Sequence, residues 1–161
     1  MTVIVAHRDS SGAFVGSDSG VYQDEAVYID GRPKVWQVGG ALIGVSGGTD
    51  VFDAIEASEI SDPRELGLYV LQIKPKSEPF EAIVVRKRTI HVVNADGSIV
   101  KITSPYHAIG SLVGSAVASG VLYALAKSSP LTPPPDRIRL ALAAAGHHAN
   151  NVRRPYVVYQ L

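Results

Sequence analysis

Short apolar runs, broken at turn residues, dominate the first third of the chain. Thr2–His7 and Ala13–Asp18 are rich in β-branched residues and flank Asp9-Ser10-Ser11-Gly12, so they predict two strands joined as a hairpin. Val21–Ile29 is a looser run ending at Asp30-Gly31. Lys34–Val38 and Ala41–Val45 flank Gly39-Gly40, a second hairpin signal. Ser46-Gly47-Gly48-Thr49-Asp50 closes the strand block and opens a helix. Thr49 or Asp50 is the expected cap, and Val51, Phe52 and Ile55 form the apolar stripe.

The pattern then changes period. Pro63 suits the first turn of a helix over Arg64–Ile73, with Leu66, Tyr69, Val70 and Ile73 on one face. Strands resume at Ala82–Arg86, Thr89–Val93 and Ile99–Ile102, the last two joined by Asn94-Ala95-Asp96-Gly97. His107–Gly110 is a short strand that runs into a helix over Ser111–Lys127. Ser128–Pro135 reads as a loop, Asp136–Ala145 as a fourth helix and Pro155–Gln160 as a last strand. Strands and helices come in blocks. That order predicts layered antiparallel sheets covered by helices, not a doubly wound parallel sheet. With no repeat and no long linker, residues 1–161 are expected to form one domain.

Composition narrows the function classes. The chain has 161 residues, of which 46% are hydrophobic, enough for a sizeable core. Mean hydropathy is +0.14, slightly apolar for a lone monomer, which points to buried subunit contacts. Lys+Arg and Asp+Glu are both 15, so no basic footprint for nucleic acid or an anionic membrane is expected. The absence of cysteine excludes disulfides and thiolate metal sites. No signal-peptide pattern or membrane-length apolar run is read, and a cytoplasmic location is the expectation.

Five positions carry candidate chemistry. Thr2 follows the start methionine and precedes a strand. If Met1 is trimmed, Thr2 combines a hydroxyl with a free α-amine, whose ordinary pKa of roughly 7.7–8.0 leaves part of it neutral near pH 7. Asp18 ends the second strand in Gly16-Ser17-Asp18-Ser19-Gly20, where the plain alternative is a turn-shaping role. Lys34 opens a strand, and a solvated surface lysine is its alternative. Gly47, with Gly48, sits at a strand-to-helix junction where backbone N–H groups are free to hold an oxyanion. Ser111 follows Gly110 at a second such junction. The remaining candidates are weaker. His147 and His148 are adjacent on a helix and point about 100° apart, so they do not converge on one ion. His7, His91 and His107 are isolated in strands. Arg86-Lys87-Arg88 and Arg153-Arg154 read as solvated basic turns. The small residues Gly114, Ser115, Ala118, Ser119 and Gly120 read as a tight packing face.

Taken together, these residues resemble the proteasome β-subunit family, and most closely the bacterial proteasome-like ATP-dependent ring peptidase. The likeness spans nearly the whole chain. It rests on Thr2–Ala6, on Asp18, on Lys34 at the family's separation from the threonine, and on Gly47-Gly48-Thr49-Asp50 with one residue fewer than the family motif. Ala108-Ile109-Gly110-Ser111 and the tail Ala144–Leu161 complete it. Two places depart from the family pattern. Ala149 and Val152 stand where side-chain ligands are expected, and Leu112-Val113 replaces small residues after Ser111.

The resemblance implies an α+β fold of the Ntn-hydrolase type, a four-layer sandwich of two antiparallel sheets between helix layers. It implies a threonine peptidase acting on peptides or unfolded proteins, built as a homo-oligomeric ring and fed by an AAA+ unfoldase, with no cofactor. Thr2 Oγ would attack the carbonyl while its own amine, through a water, takes the proton. Lys34 would disfavour protonation of that amine, and Asp18 would orient Lys34. The Gly47 N–H would hold the oxyanion, and Ser111 would help place the amine or water. Two alternatives stay open: an inactive structural or assembly subunit that keeps Met1, and a small-molecule amidase on the same fold.

Overall fold

A computed structural model describes residues 2–23, 26–29, 34–73, 80–129 and 131–161. In chain order these form β1 (Val3–Asp9), β2 (Gly12–Ser17), β3 (Gly20–Gln23), β4 (Ala26–Ile29), β5 (Val35–Val38), β6 (Ala41–Ser46), α1 (Thr49–Ser58) and α2 (Pro63–Ile73). They continue with β7 (Glu81–Arg86), β8 (Thr89–Asn94), β9 (Ile99–Ile102), β10 (Tyr106–Gly110), α3 (Leu112–Ser128), α4 (Pro134–His148) and β11 (Val157–Gln160). One antiparallel sheet has the order β10-β1-β2-β11 and the other β5-β6-β7-β8-β9; β3 and β4 pair as a separate hairpin.

Alternation along the central strands builds the layers. Val3 and Val5 of β1 face α3 and α4, packing in a cluster with Ala118, Leu122, Ile138 and Leu142. Ile4 and Ala6 point the other way, into the space between the sheets, with Leu42, Ile83, Val85 and Ile109. On β6 the neighbours of Leu42 turn outward again, and Ala41, Ile43 and Val45 pack with Ile55 of α1 and Leu66 and Val70 of α2. Helices, sheet, sheet and helices therefore stack in that order, which is the expected α+β sandwich. The sheets approach closely at Gly44, where an added Cβ would stand 2.5 Å from Ile4 Cγ2.

Local chemistry explains the turns. Asp9 Oδ1 accepts the Ser11 N–H at 2.8 Å and closes the β1–β2 hairpin. Gly39 and Gly40 have φ of 52° and 71°, the double left-handed geometry of a two-residue hairpin turn. Just before Pro63, Asp62 Oδ1 accepts the Arg64 N–H at 2.9 Å and so satisfies a free donor of the first turn of α2.

Several boundaries differ from the sequence reading. Thr49 lies inside α1, and the cap position is Gly48, with no side-chain cap bond. The run Val21–Ile29 resolves into β3 and β4. Lys34 precedes β5 and does not open it; its carbonyl accepts the Val45 N–H at 3.1 Å. α4 begins at Pro134 and ends at His148, longer than the expected Asp136–Ala145. Proline fits a first turn because that position needs no N–H, and the Ala149 N–H bonding the Ala145 carbonyl at 2.8 Å carries the last turn past Gly146. The turn expected at Asp30-Gly31, and Met1, lie outside the described residues. Among the described residues no helix is long and apolar enough to cross a membrane.

Candidate active site

The β1 strand delivers Thr2 to the edge of the sandwich. Thr2 is only 5% exposed. Its backbone is held on both sides: the Ser111 N–H donates to the Thr2 carbonyl at 2.9 Å, and the Val3 N–H donates to Asp18 Oδ1 at 2.9 Å. The Thr2 hydroxyl donates to the same Asp18 oxygen at 2.6 Å. Lys34 Nζ donates to Thr2 Oγ1, to the Gly20 carbonyl and, at 3.3 Å, to Asp18 Oδ1. Thr2, Asp18 and Lys34, far apart in sequence, thus meet in one buried hydrogen-bonded group.

Asp18 is the anchor of that group. Its second oxygen accepts the Gly20 N–H at 2.8 Å and the Arg153 N–H at 3.3 Å. A buried carboxylate is stable when a cation and several donors surround it, and Asp18 has both. Its rigidity fixes where Lys34 and the Thr2 hydroxyl sit. Turn-shaping and ion pairing are therefore both served by Asp18, through different oxygens. Lys34 is 8% exposed, which rules out the solvated-surface alternative.

Ser111 and Gly47 enter from the two sheets. Ser111 is buried at the start of α3 and makes no side-chain cap bond; its N–H holds the Thr2 carbonyl and its own carbonyl accepts the Ser115 N–H at 2.7 Å. Gly110 before it has φ of 105°, and a Cβ there would stand 1.9 Å from the Thr2 carbonyl oxygen. The same Cβ would lie 3.0 Å from Ser46 Oγ, so the end of β6 abuts this junction. Gly47 follows Ser46 at the end of β6 and is exposed. Chemically, the group offers a hydroxyl with a cation on its oxygen and exposed backbone at the glycine junction.

The tail departs from the side-chain ligand pattern in a simple way. Ala149 and Val152 are buried in the apolar cluster beneath α3 and α4. Support for the site comes from the backbone there instead: the Arg153 N–H reaches Asp18, the Ser19 N–H donates to the Arg153 carbonyl at 2.9 Å, and Ser19 Oγ donates to the Pro155 carbonyl at 2.7 Å. Backbone contacts carry no residue-type signal, so Arg153 was not legible in sequence. Glu81 was missed as well; its Oε2 accepts the Gly110 N–H at 3.0 Å.

The other candidates separate from the site. Gly114 and Ala118 do pack tightly, with Val3 Cγ2 2.5 Å from a Gly114 Cβ, but Gly120 faces open space. Arg86-Lys87-Arg88 is more than a solvated tip. Arg86 pairs with Asp62 at 3.1 Å, Arg88 donates to the Asp9 carbonyl, and Arg8 donates to the Arg88 carbonyl at 3.1 Å. Arg153, Arg154, His147 and Tyr156 line an open groove of about 440 Å³ at the end of α4. Burial pushes His7, His91 and His107 below the ordinary imidazole pKa.

Solved structures share this architecture. The chain matches BPH of Thiobacillus denitrificans in complex with Epoxomicin with a TM-score of 0.83 at 15% identity, over 99% of this chain and 98% of that one. The structure titled only as Thiobacillus denitrificans BPH gives a TM-score of 0.80 at 17% identity, over 99% and 97% of the two chains. HslV from Trypanosoma brucei gives 0.77 at 19% identity, over 99% of each. The fold is that of the proteasome-like Ntn hydrolases. At these identities the likeness is one of fold. By sequence, no family model and no curated protein matches.

Proposed function

We propose that this chain is an N-terminal threonine peptidase, active after removal of Met1, that cleaves peptide bonds inside a homo-oligomeric ring. One observation carries the reading: the Thr2 hydroxyl lies between Asp18 and Lys34 in a buried group, on a fold shared with HslV. An ammonium held on a hydroxyl oxygen favours its deprotonated form, which is the form a nucleophile needs.

The chemistry follows from these placements. Thr2 Oγ attacks the carbonyl carbon of the peptide and passes its proton, through a water, to the Thr2 α-amine. Lys34 stabilises the oxygen as the proton leaves, and Asp18 keeps Lys34 charged and aimed. The new oxyanion is held by the Gly47 N–H. The C–N bond then breaks, the leaving amine takes the proton, and water hydrolyses the Thr2 ester. Ser111 holds the Thr2 carbonyl and so fixes the direction of the amine.

Enclosure is the second part of the reading. α2 exposes Leu68 (63%) and Leu71 (48%), with Ile99 of β9 (36%) packed against Gly67 on the same face, an apolar surface that supports subunit stacking through α1 and α2. An AAA+ unfoldase is the partner proposed for delivering unfolded protein, in the cytoplasm. Residues 1–161 are taken as one catalytic domain.

A second reading has one observation in its favour. Ala149 and Val152 are apolar where the related pattern has ligating side chains, which suits an inactive assembly subunit that keeps Met1. Intact mass together with labelling by epoxomicin, the ligand solved with BPH, separates the two. The peptidase reading requires loss of Met1 and labelling at Thr2; the assembly reading requires neither.

A further inference from the structure

We propose that Glu81 is a positioning residue that sets the separation between the Thr2 nucleophile and the Gly47 oxyanion donor. The inference rests on the peptidase reading for its catalytic consequence, but its structural link stands apart from that reading.

Nucleophile and oxyanion donor belong to different sheets. Thr2 hangs from the β1–β10 edge, with Val3 opposite Gly110 and the Ser111 N–H on the Thr2 carbonyl. Gly47 extends β6, whose last residue, Ser46, lies opposite Glu81 of β7. Facing sheets are held mainly by apolar packing, which is non-directional and fixes separation poorly along the strands. Glu81 supplies a directional link. Its carboxylate leaves the β6–β7 edge and accepts the Gly110 N–H at 3.0 Å. A charge-assisted bond to backbone N–H is stronger than a neutral one.

The acceptor is placed where it matters most. Gly110 has φ of 105° and lies against the Thr2 carbonyl and Ser46 Oγ. The Gly110 N–H belongs to the Ile109–Gly110 peptide, and a tilt of that peptide, carried through the Gly110 backbone, displaces the adjoining Ser111 N–H from Thr2 and disturbs the terminal amine and hydroxyl. An error near 1 Å in such a placement costs on the order of 100-fold in rate. The Glu81 carboxylate reaches the site through the Gly110 N–H, and its charge also acts on the His107 imidazole of β10.

Glu81→Ala and Glu81→Gln test this together. Alanine removes the acceptor; glutamine keeps a carbonyl oxygen in reach of Gly110. Expected for Glu81→Ala is a fall in kcat of about 10- to 100-fold with KM within about twofold, and faster hydrogen exchange at the Ser111 amide by about tenfold or more. Glu81→Gln should recover most of both. Unchanged exchange at Ser111 in Glu81→Ala overturns the proposal, as does Glu81→Gln failing as badly as alanine. If the wild type shows no peptidase turnover, the peptidase reading fails, and exchange at Ser111 alone decides the link. If Glu81→Ala does not fold, the Gly110 amide proton decides: bonded to a carboxylate it resonates downfield and shifts in Glu81→Gln, and an identical resonance in both proteins overturns the link.

Discussion

Asp18 holds two donors on each oxygen or more, and that density decides what its substitution does. Asp18→Asn keeps the shape but leaves Lys34 buried without its counter-charge. Breaking a buried pair in this way costs about 3–5 kcal/mol. Chemical denaturation should show that loss, and a stability equal to wild type would mean that Lys34 finds another anion. Lys34→Arg should not rescue peptidase activity lost in Lys34→Ala, because a planar guanidinium cannot place one nitrogen on Thr2 Oγ1, Asp18 and the Gly20 carbonyl together. Wild-type turnover in Lys34→Ala would remove Lys34 from the mechanism. Thr2, Asp18 and Lys34 were legible in sequence because each is a polar residue at a strand end, at a family-like spacing. Glu81 was not legible, since a glutamate at a strand start carries no signal until its register opposite Ser46 is known.

His7 gives a separate prediction at the same scale. It is 3% exposed, and burial pushes its imidazole below the ordinary 6.5, with Asp9 opposing and Arg137 reinforcing the shift. His91 and His107 shift the same way. With folded pKa values lowered, the unfolded chain binds more protons in this range, so stability rises with pH. It should be fully present above pH 6.5 and decline as pH falls below it. Urea midpoints at pH 7.5 and 5.5 measure this, and His7→Leu should flatten the difference. Equal midpoints in the wild type would show that these histidines do not titrate differently on folding.

At the scale of elements, strands and helices were legible because β-branched alternation and helical stripes are local. The ends were less so. The last turn of α4 depends on the bond from the Ala149 N–H to the Ala145 carbonyl, and the split of Val21–Ile29 depends on pairing between β3 and β4. Neither is set by local composition. The β10–α3 junction is the element most sensitive to change. Gly110→Ala puts a methyl 1.9 Å from the Thr2 carbonyl oxygen at a positive φ, so it should cost more than the ~1 kcal/mol of an ordinary glycine site. Thermal melting checks this, and a melting point within a degree of wild type would mean that the junction is loose.

For the whole molecule, the four-layer order followed from blocks of strands and helices, while the assembly proposal rests on the exposed apolar residues of α2 and β9. Charging that surface with Leu68→Glu and Leu71→Glu should convert a ring into smaller species of unchanged fold, read by light scattering. A wild-type mass near the 17.0 kDa of one chain at micromolar concentration would contradict the ring itself. The proposed peptidase stands on Thr2 as a terminal nucleophile. Its most direct test is an intact-mass spectrum, with peptide mapping, after incubation with epoxomicin. Expected is a chain lacking Met1 that carries one inhibitor on the peptide beginning at Thr2, and no label in Thr2→Ala. A chain that keeps Met1 and stays unlabelled would contradict it.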